Sequence, residues 1–217
     1  KYFLFFIVTE LSNYLSSSSD NIVNYSVSVK LFADDVKFYS CSSSAATDLQ
    51  QATNDLVSWS RKWQLNLALD KCVTCSVCRD GGATDLVPRY SIGDHQLDVV
   101  KQMRNLGVIV DGNLTFKSHI SGIIHSASIR SRLIHRSFVS KDRSVLVKAF
   151  CVYVRPLLEY CSPVWNPHHK FLIDGIERVQ RSFTKAIPSI RFEPYLTRLR
   201  LLKLQTLEHR RLLLDLC

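Results

Sequence analysis

Two adjacent carboxylates, Asp34 and Asp35, stand between two short runs with strand chemistry. Before them, Tyr25 to Phe32 reads Y-S-V-S-V-K-L-F, with Val27, Val29 and Leu31 on one face; after them comes Val36-Lys37-Phe38-Tyr39. Period-two alternation on both sides of a short acidic break predicts a hairpin over residues 25–41 with the pair at its tip. Two carboxylates there add little to a fold but are well placed to hold a divalent metal. An acidic turn with solvated side chains would have the same sequence. Cys72, Cys75 and Cys78 form C-x-x-C-x-x-C, a second conceivable ligand set. No further Cys/His pair follows at zinc-site spacing, and residues 72–78 also read as a strand.

The elements that must position these groups follow from pattern. Residues 3–15 read as a short apolar helix ending near Ser16-Ser17-Ser18-Ser19, a polar loop. Thr47, with Gln50 three residues on, predicts a capping box. Leu49, Ala52 or Thr53, Leu56 and Trp59 or Trp63 keep helical spacing to about Lys62. Residues 72–78, 88–92, 97–101 and 106–110 are short strand candidates, with Gly81-Gly82 and Gly93-Asp94 as turns. From about 116 the pattern becomes helical: Ser118 to Phe138, Lys141 to Tyr160, Lys170 to Ile187 and Pro194 to Leu216. Pro163, Pro167 and Pro188 punctuate these runs, and Pro156 should kink or end the second. The expected fold class is α+β, with a mixed region 1–115 followed by a helical region 116–217.

Composition agrees with a globular chain: 46% of the 217 residues are apolar and 22% charged. The net charge of +9 is uneven. Residues 1–115 carry 10 Lys and Arg against 12 Asp and Glu, whereas residues 116–217 carry 18 against 7. That asymmetry fits a polyanion partner, and it also fits a solvated basic surface on a helical domain. Seven cysteines, an odd number without framework spacing, suit a reducing compartment. The chain starts inside an apolar run, Tyr2 to Val8, without an initiating methionine. Seven apolar residues cannot span a bilayer, which needs ~20, so the expectation is a buried element entered part-way, in a fragment of a longer protein, with no membrane partner.

In motif order the chain resembles the C-terminal part of a reverse transcriptase from a non-LTR, LINE-type, jockey-like retrotransposon. Leu4-Phe5-Phe6-Ile7 to Leu15 looks like that family's apolar helix, and Leu31-Phe32-Ala33-Asp34-Asp35 like its catalytic F/Y-A-D-D box. Trp59-x-x-x-Trp63-x-Leu65-Asn66 through Lys71-Cys72 is similar to the next motif. Asn105-Leu106-Gly107-Val108-Ile109-Val110-Asp111, with Leu114, Phe116, His119 and Ile120, resembles the primer-grip region. Arg155-Pro156-Leu157-Leu158-Glu159-Tyr160-Cys161-Ser162-Pro163-Val164-Trp165-Asn166-Pro167 is similar to a thumb segment. Glu177-Arg178-Val179-Gln180-Arg181-x-x-Thr184-Lys185 and Leu207-Glu208-x-Arg210-Arg211 complete the series.

The resemblance implies a partial polymerase palm of β-hairpins packed on helices over 1–115, then a helical thumb-like nucleic-acid-binding region over 116–217. It implies RNA-directed DNA synthesis by two-metal phosphoryl transfer, with Mg²⁺ or Mn²⁺ as cofactor. Two ions about 4 Å apart would clamp the attacking and leaving oxygens. The partners would be an RNA template, a DNA primer and deoxynucleoside triphosphates, with fingers, the first palm strands and an endonuclease upstream. Asp34 would be a direct metal ligand and Asp35 the supporting carboxylate. Phe32 would pack beneath the tip and Ala33 leave room for the primer end, though ordinary hairpin packing explains both equally. Lys71 could neutralise or protonate the leaving pyrophosphate, or be a surface lysine. Leu106-Gly107 would let backbone approach the primer; a bulge or turn glycine reads the same. Trp59 and Trp63 read as core residues of the palm helix rather than base-stacking platforms.

On the predicted helices, Arg130, Arg132, Arg136, Arg143, Lys148, Arg178, Arg181 and Lys185 could track template–primer phosphates, with Arg178 and Arg181 sharing a face. For each alone, a solvated face is the simpler account. His168-His169 reads as an exposed loop pair. The family's other metal-binding aspartate has no counterpart here: Asp20 follows four serines, and Thr9-Glu10 replaces the usual Asn-Asp. The chain alone is therefore expected to be inactive. The alternatives are a non-catalytic basic nucleic-acid-binding remnant or a decayed element product. Localisation in the nucleus or in a cytoplasmic ribonucleoprotein rests on the family alone.

Overall fold

The computed structural model describes residues 2–7, 27–33, 35–40, 45–77 and 88–216. The chain divides into two compact units, Lys1–Leu114 and Thr115–Cys217. The first contains β1 (Tyr2–Ile7), β2 (Val27–Phe32), β3 (Asp35–Ser40), α1 (Ala45–Lys62), β4 (Val73–Ser76), β5 (Ser91–Ile92), β6 (His95–Gln96), β7 (Asp98–Val99), β8 (Gln102–Asn105) and β9 (Val108–Asp111). Five strands form one sheet in the order β2-β3-β1-β4-β7, and β5-β6 and β8-β9 form separate ribbons.

Residues 2–7, expected to open a helix over 3–15, are instead the central strand β1, hydrogen-bonded to β3 on one side and β4 on the other. An unbroken aromatic and aliphatic run suits a central strand as well as a helix, and sheet partners far along the chain decide between them. The remainder of that expected helix and the serine loop lie outside the described residues, as do Gly81-Gly82.

Strand β3 shows why the pattern around Asp35 alternates. Val36, Phe38 and Ser40 are buried, whereas Asp35, Lys37 and Tyr39 are only half-buried on the other face. The buried face packs on α1, where Leu49, Ala52 and Leu56 meet Val27, Val36 and Phe38. Burying such side chains contributes roughly 1.5–3 kcal/mol for each large one. Helix α1 starts at Ala45, so Thr47 sits inside its first turn rather than at its cap. Gln50 does not close a capping box. It pairs like a strand with Ser91, donating to the backbone oxygen (2.8 Å) and accepting from the backbone N–H (3.0 Å). Gln64 ends the helix at φ 57, with the Leu65 N–H reaching back to the Ser60 oxygen (2.9 Å). Trp59 packs against the core, but Trp63 lies past the last helical residue and is 48% exposed, which corrects its expected core role.

The remaining strands are shorter than their sequence windows. Of 88–92 only Ser91–Ile92 is strand, with Gly93-Asp94 turning into β6. The window 97–101 holds only Asp98–Val99 as strand. The window 106–110 is shifted, because Leu106-Gly107 form a turn between β8 and β9. Cys72 and Cys75 are both buried, but Cys72 joins the α1 core and Cys75 lies near Asp111. An odd spacing along extended chain sends them to opposite faces.

The second unit is helical: α2 (Lys117–Ser137), α3 (Arg143–Tyr153), α4 (Arg155–Glu159), α5 (Ser162–Trp165), α6 (Lys170–Lys185), α7 (Tyr195–Leu202) and α8 (Leu207–Asp215). Asp142 caps α3, accepting from the backbone N–H groups of Ser144 (2.8 Å) and Val145 (3.1 Å). Pro156 breaks the run from Lys141 to Tyr160, since it cannot donate to the preceding turn; α3 ends at Tyr153 and α4 restarts at Arg155. The expected run from Pro194 to Leu216 is two helices, separated where Lys203 takes φ 53 and Thr206 caps α8. No helix among the described residues is long and apolar enough to cross a membrane.

Candidate functional site

The acidic hairpin is formed by β2 and β3 in a register that pairs Phe32 with Asp35. Only Ala33 and Asp34 lie between them, so the connection is a two-residue turn. Ala33 has φ 52, as the favoured two-residue hairpin turns require of their first position. Asp34 lies outside the described residues. Asp35 is half-buried at the start of β3. Phe32 is 60% exposed, which corrects the expectation that it packs beneath the tip. It is the last residue of the edge strand β2 and pairs with Asp35, on the face turned away from α1.

Lys37, two residues along β3 from Asp35, shares its face. Burial pulls the Lys37 ammonium below its ordinary pKa, and the Asp35 carboxylate offsets part of that. Its ammonium donates to the side-chain oxygen of Asn105, the last residue of β8. The residues after Asn105 are Leu106 (φ 45) and Gly107 (φ 87), the tip of the β8–β9 ribbon. At the other end of the ribbon, Asp111 lies near Cys75, and a Cβ on Gly112 would stand 2.7 Å from the Ser76 backbone oxygen. The ribbon therefore meets β3 through Lys37 and Asn105, on the face opposite α1, and meets the end of β4 through Gly112. Leu106-Gly107 is a hairpin tip rather than a bulge.

Lys71 closes a short 3-10 turn, Leu69–Lys71, and is exposed. Strand β4 begins at Val73 opposite Phe5, and β3 begins at Asp35 opposite Ile7. Lys71 thus stands at the same end of the sheet as the acidic turn, two strand spacings or about 10 Å across. Among the described residues no three His, Cys, Asp or Glu side chains gather at one point. Hard divalent ions take several oxygen ligands. Asp35 with Lys37 beside it does not make a two-metal site from the described residues.

In the second unit the candidate cations separate. Arg130 and Arg132 are two residues apart on α2 and face opposite ways. Arg130 reaches the Tyr153 oxygen at the end of α3 (3.4 Å), whereas Arg132 lines a groove beside α6. Arg178 lines the same groove from α6. Arg181 does not share it: its guanidinium lies over the Tyr195 ring, 5.0 Å from the centroid. Three residues turn a helix by about 300°, enough to part neighbours. Lys185, Arg136, Arg143 and Lys148 are exposed, as are His168 and His169.

Motif reading missed the buried polar hub between them. Glu177, 6% exposed, accepts from the Tyr195 hydroxyl and from the Leu207 (2.9 Å) and Glu208 (3.4 Å) backbone N–H groups, so it caps α8. Burial first, then the Glu177 carboxylate, raise the Tyr195 pKa. Gln180 donates to Tyr195 (3.0 Å) and to the Gln205 oxygen (2.9 Å). Glu159 binds Arg210 through two contacts, 2.5 and 3.1 Å, and Asn166 accepts from Arg211 (3.2 Å). Trp165 is buried and donates to the Tyr160 oxygen (2.7 Å). Glu159, Trp165, Asn166, Glu177, Gln180, Arg210 and Arg211 belong to the motif segments quoted above, and with Tyr195 and Gln205 they tie α4, α5, α6, α7 and α8 together. The signal was available: Glu177 and Gln180 lie three apart on the face with Ile176 and Val179.

No protein-family model and no solved structure matches the chain. It is 33% identical over 86 residues to an uncharacterized protein of Caenorhabditis elegans, covering 40% of this chain and 43% of that protein. It is 26% identical over 169 residues to the RNA-directed DNA polymerase from mobile element jockey of Drosophila funebris, covering 74% of this chain and 18% of that protein. The chain spans less than half the length of either relative. The second match relates it, distantly, to a reverse transcriptase.

Proposed function

We propose that this chain is the later palm and the thumb of an RNA-directed DNA polymerase of a non-LTR retrotransposon. The similarity to the jockey polymerase over 74% of the chain carries this reading. The hairpin geometry supports it: β2 and β3 pair through Phe32 and Asp35 with two residues between them, Asp35 opens β3, and Lys37 on the same face is bonded to Asn105 of the β8–β9 ribbon. In this reading Asp34 and Asp35 supply part of a Mg²⁺ site, and Lys71, at the same sheet end, faces the leaving pyrophosphate. The second unit holds the template–primer duplex.

The test is primer extension on an RNA template with Mg²⁺. A longer protein joining this chain to upstream polymerase sequence should extend the primer, and Asp34→Ala should abolish extension while template binding stays near its original level. Unchanged extension by that variant removes Asp34 from the chemistry. Robust extension by residues 1–217 alone overturns the expected inactivity.

A second reading is a non-catalytic nucleic-acid-binding module. The observation favouring it is the excess of exposed Lys and Arg on the second unit, such as Arg132, Arg178 and Lys185, against seven acidic residues after 115. Binding to an RNA–DNA hybrid that weakens steeply with salt, without extension in any longer context, would select it.

A further inference from the structure

Between α2 and α6 lies a groove of about 420 Å³. The two helices run in the same direction, since Ile124 meets Gly175 at one end and His135 meets Phe183 at the other. The groove is about three helical turns, or ~16 Å, long. Its floor is apolar, with Ile124, Val179 and Phe183, and no carboxylate lines it. Arg132 and Arg178 stand on its two walls. Neither has an ion-pair partner among the described residues, unlike Arg155 and Arg210, which share Glu159. Ser131, also in the lining, is 7% exposed, and its hydroxyl has no hydrogen-bond partner among the described residues. A buried hydroxyl without a partner is unfavourable unless a ligand group supplies one.

We propose that this groove is a binding site for a phosphomonoester: Arg132 and Arg178 hold the phosphate from opposite walls, the Ser131 hydroxyl donates to it, and the apolar floor takes the organic body. Two guanidiniums on facing walls plus a hydroxyl offer more donors than the two oxygens of a carboxylate can use, and a phosphate has three free oxygens. The volume falls within the range of small-ligand pockets, roughly 300–1,000 Å³, and suits one nucleotide-sized group rather than a duplex. The phosphate could belong to a free small molecule or to the phosphorylated end of a polynucleotide. The site does not depend on the polymerase reading.

Calorimetry on the 217-residue chain tests it, with phenyl phosphate, inorganic phosphate and benzyl alcohol as probes. Phenyl phosphate should bind one to one, inorganic phosphate more weakly, and benzyl alcohol not measurably. Arg132→Gln and Arg178→Gln should each weaken phenyl phosphate about tenfold or more, the loss expected for a charge-assisted hydrogen bond. Ser131→Ala should weaken it about fivefold without lowering the thermal midpoint, because it removes an unpartnered hydroxyl. A short single strand with a 5′ phosphate binding better than its 5′-hydroxyl twin, and losing that preference in Arg132→Gln, assigns a polynucleotide end. Equal binding of the two strands beside firm phenyl phosphate binding assigns a free small molecule. No saturable phenyl phosphate binding by the folded chain, or binding indifferent to both arginine substitutions, overturns the proposal.

Discussion

Lys37 on β3 donates its ammonium to the side-chain oxygen of Asn105 on β8, joining the acidic hairpin to a ribbon 68 positions further along the chain. Lys37→Met and Asn105→Ala should each destabilise the chain by about 1–3 kcal/mol, and the double variant should cost less than the sum. Amide hydrogen exchange over residues 102–111 should rise in both single variants. Strictly additive losses in denaturant titrations would show that the two side chains do not act together.

The tip of that ribbon carries a correctable strain. Leu106 and Gly107 both have positive φ, the pattern of a type I′ turn, for which Asn-Gly is the preferred pair. Leu106→Asn should stabilise the chain by about 0.5–1 kcal/mol, because Asn tolerates the left-handed region better than Leu. Thermal unfolding checks it. If Leu106 also touches a primer, the same variant will raise the KM for primer in a longer polymerase while the chain itself becomes more stable.

Removing the Glu177 carboxylate should be far more damaging than removing any exposed arginine. Glu177→Ala strands the Leu207 N–H and the Tyr195 hydroxyl away from their acceptor and uncaps α8. The expected cost is about 3 kcal/mol or more, against less than about 0.5 kcal/mol for Lys185→Ala on the surface. Urea midpoints of the two variants decide this; equal midpoints would deny Glu177 its structural role.

His135 should make the helical unit acid-sensitive. Burial lowers its pKa most; the Phe183 carbonyl opposes that and Lys141 adds to it. A histidine depressed in the folded state binds fewer protons there than in the unfolded chain. Its contribution is therefore fully present above the unfolded value of 6.5 and is lost as pH falls through the lower folded value. Stability should drop between pH 7 and pH 5, and His135→Phe should flatten that window. A His135→Phe profile parallel to the parent's would exclude the residue as the cause.

Much of this architecture was legible because local pattern and tertiary burial agree. Val36 and Phe38 alternate with Lys37 and Tyr39 as a strand with one covered face must, and Pro156 breaks the helix where it stands. What was not legible depended on distant partners. The run from Tyr2 to Ile7 is a strand only because β3 and β4 flank it. Gln50 looked like a cap and is a tether to Ser91. Lys37 carried no motif weight at all, since its half-burial and its contact with Asn105 come from elements distant in sequence. In the helical unit, spacing placed Arg178 and Arg181 together, but Tyr195 draws Arg181 aside. Charge counting found the cations and overlooked the buried Glu177 on which their helix rests.

The two-residue connection between Phe32 and Asp35 has a consequence for how this segment can vary. With Phe32 already paired to Asp35, the connection has no slack. One inserted or deleted residue in β3 would exchange its two faces, sending Asp35, Lys37 and Tyr39 toward α1 and Val36 and Phe38 out of the core onto the half-buried opposite face. Residues 27–40 can accept almost no change of length. Functional relatives should align across this stretch without a gap, however far their sequences have drifted.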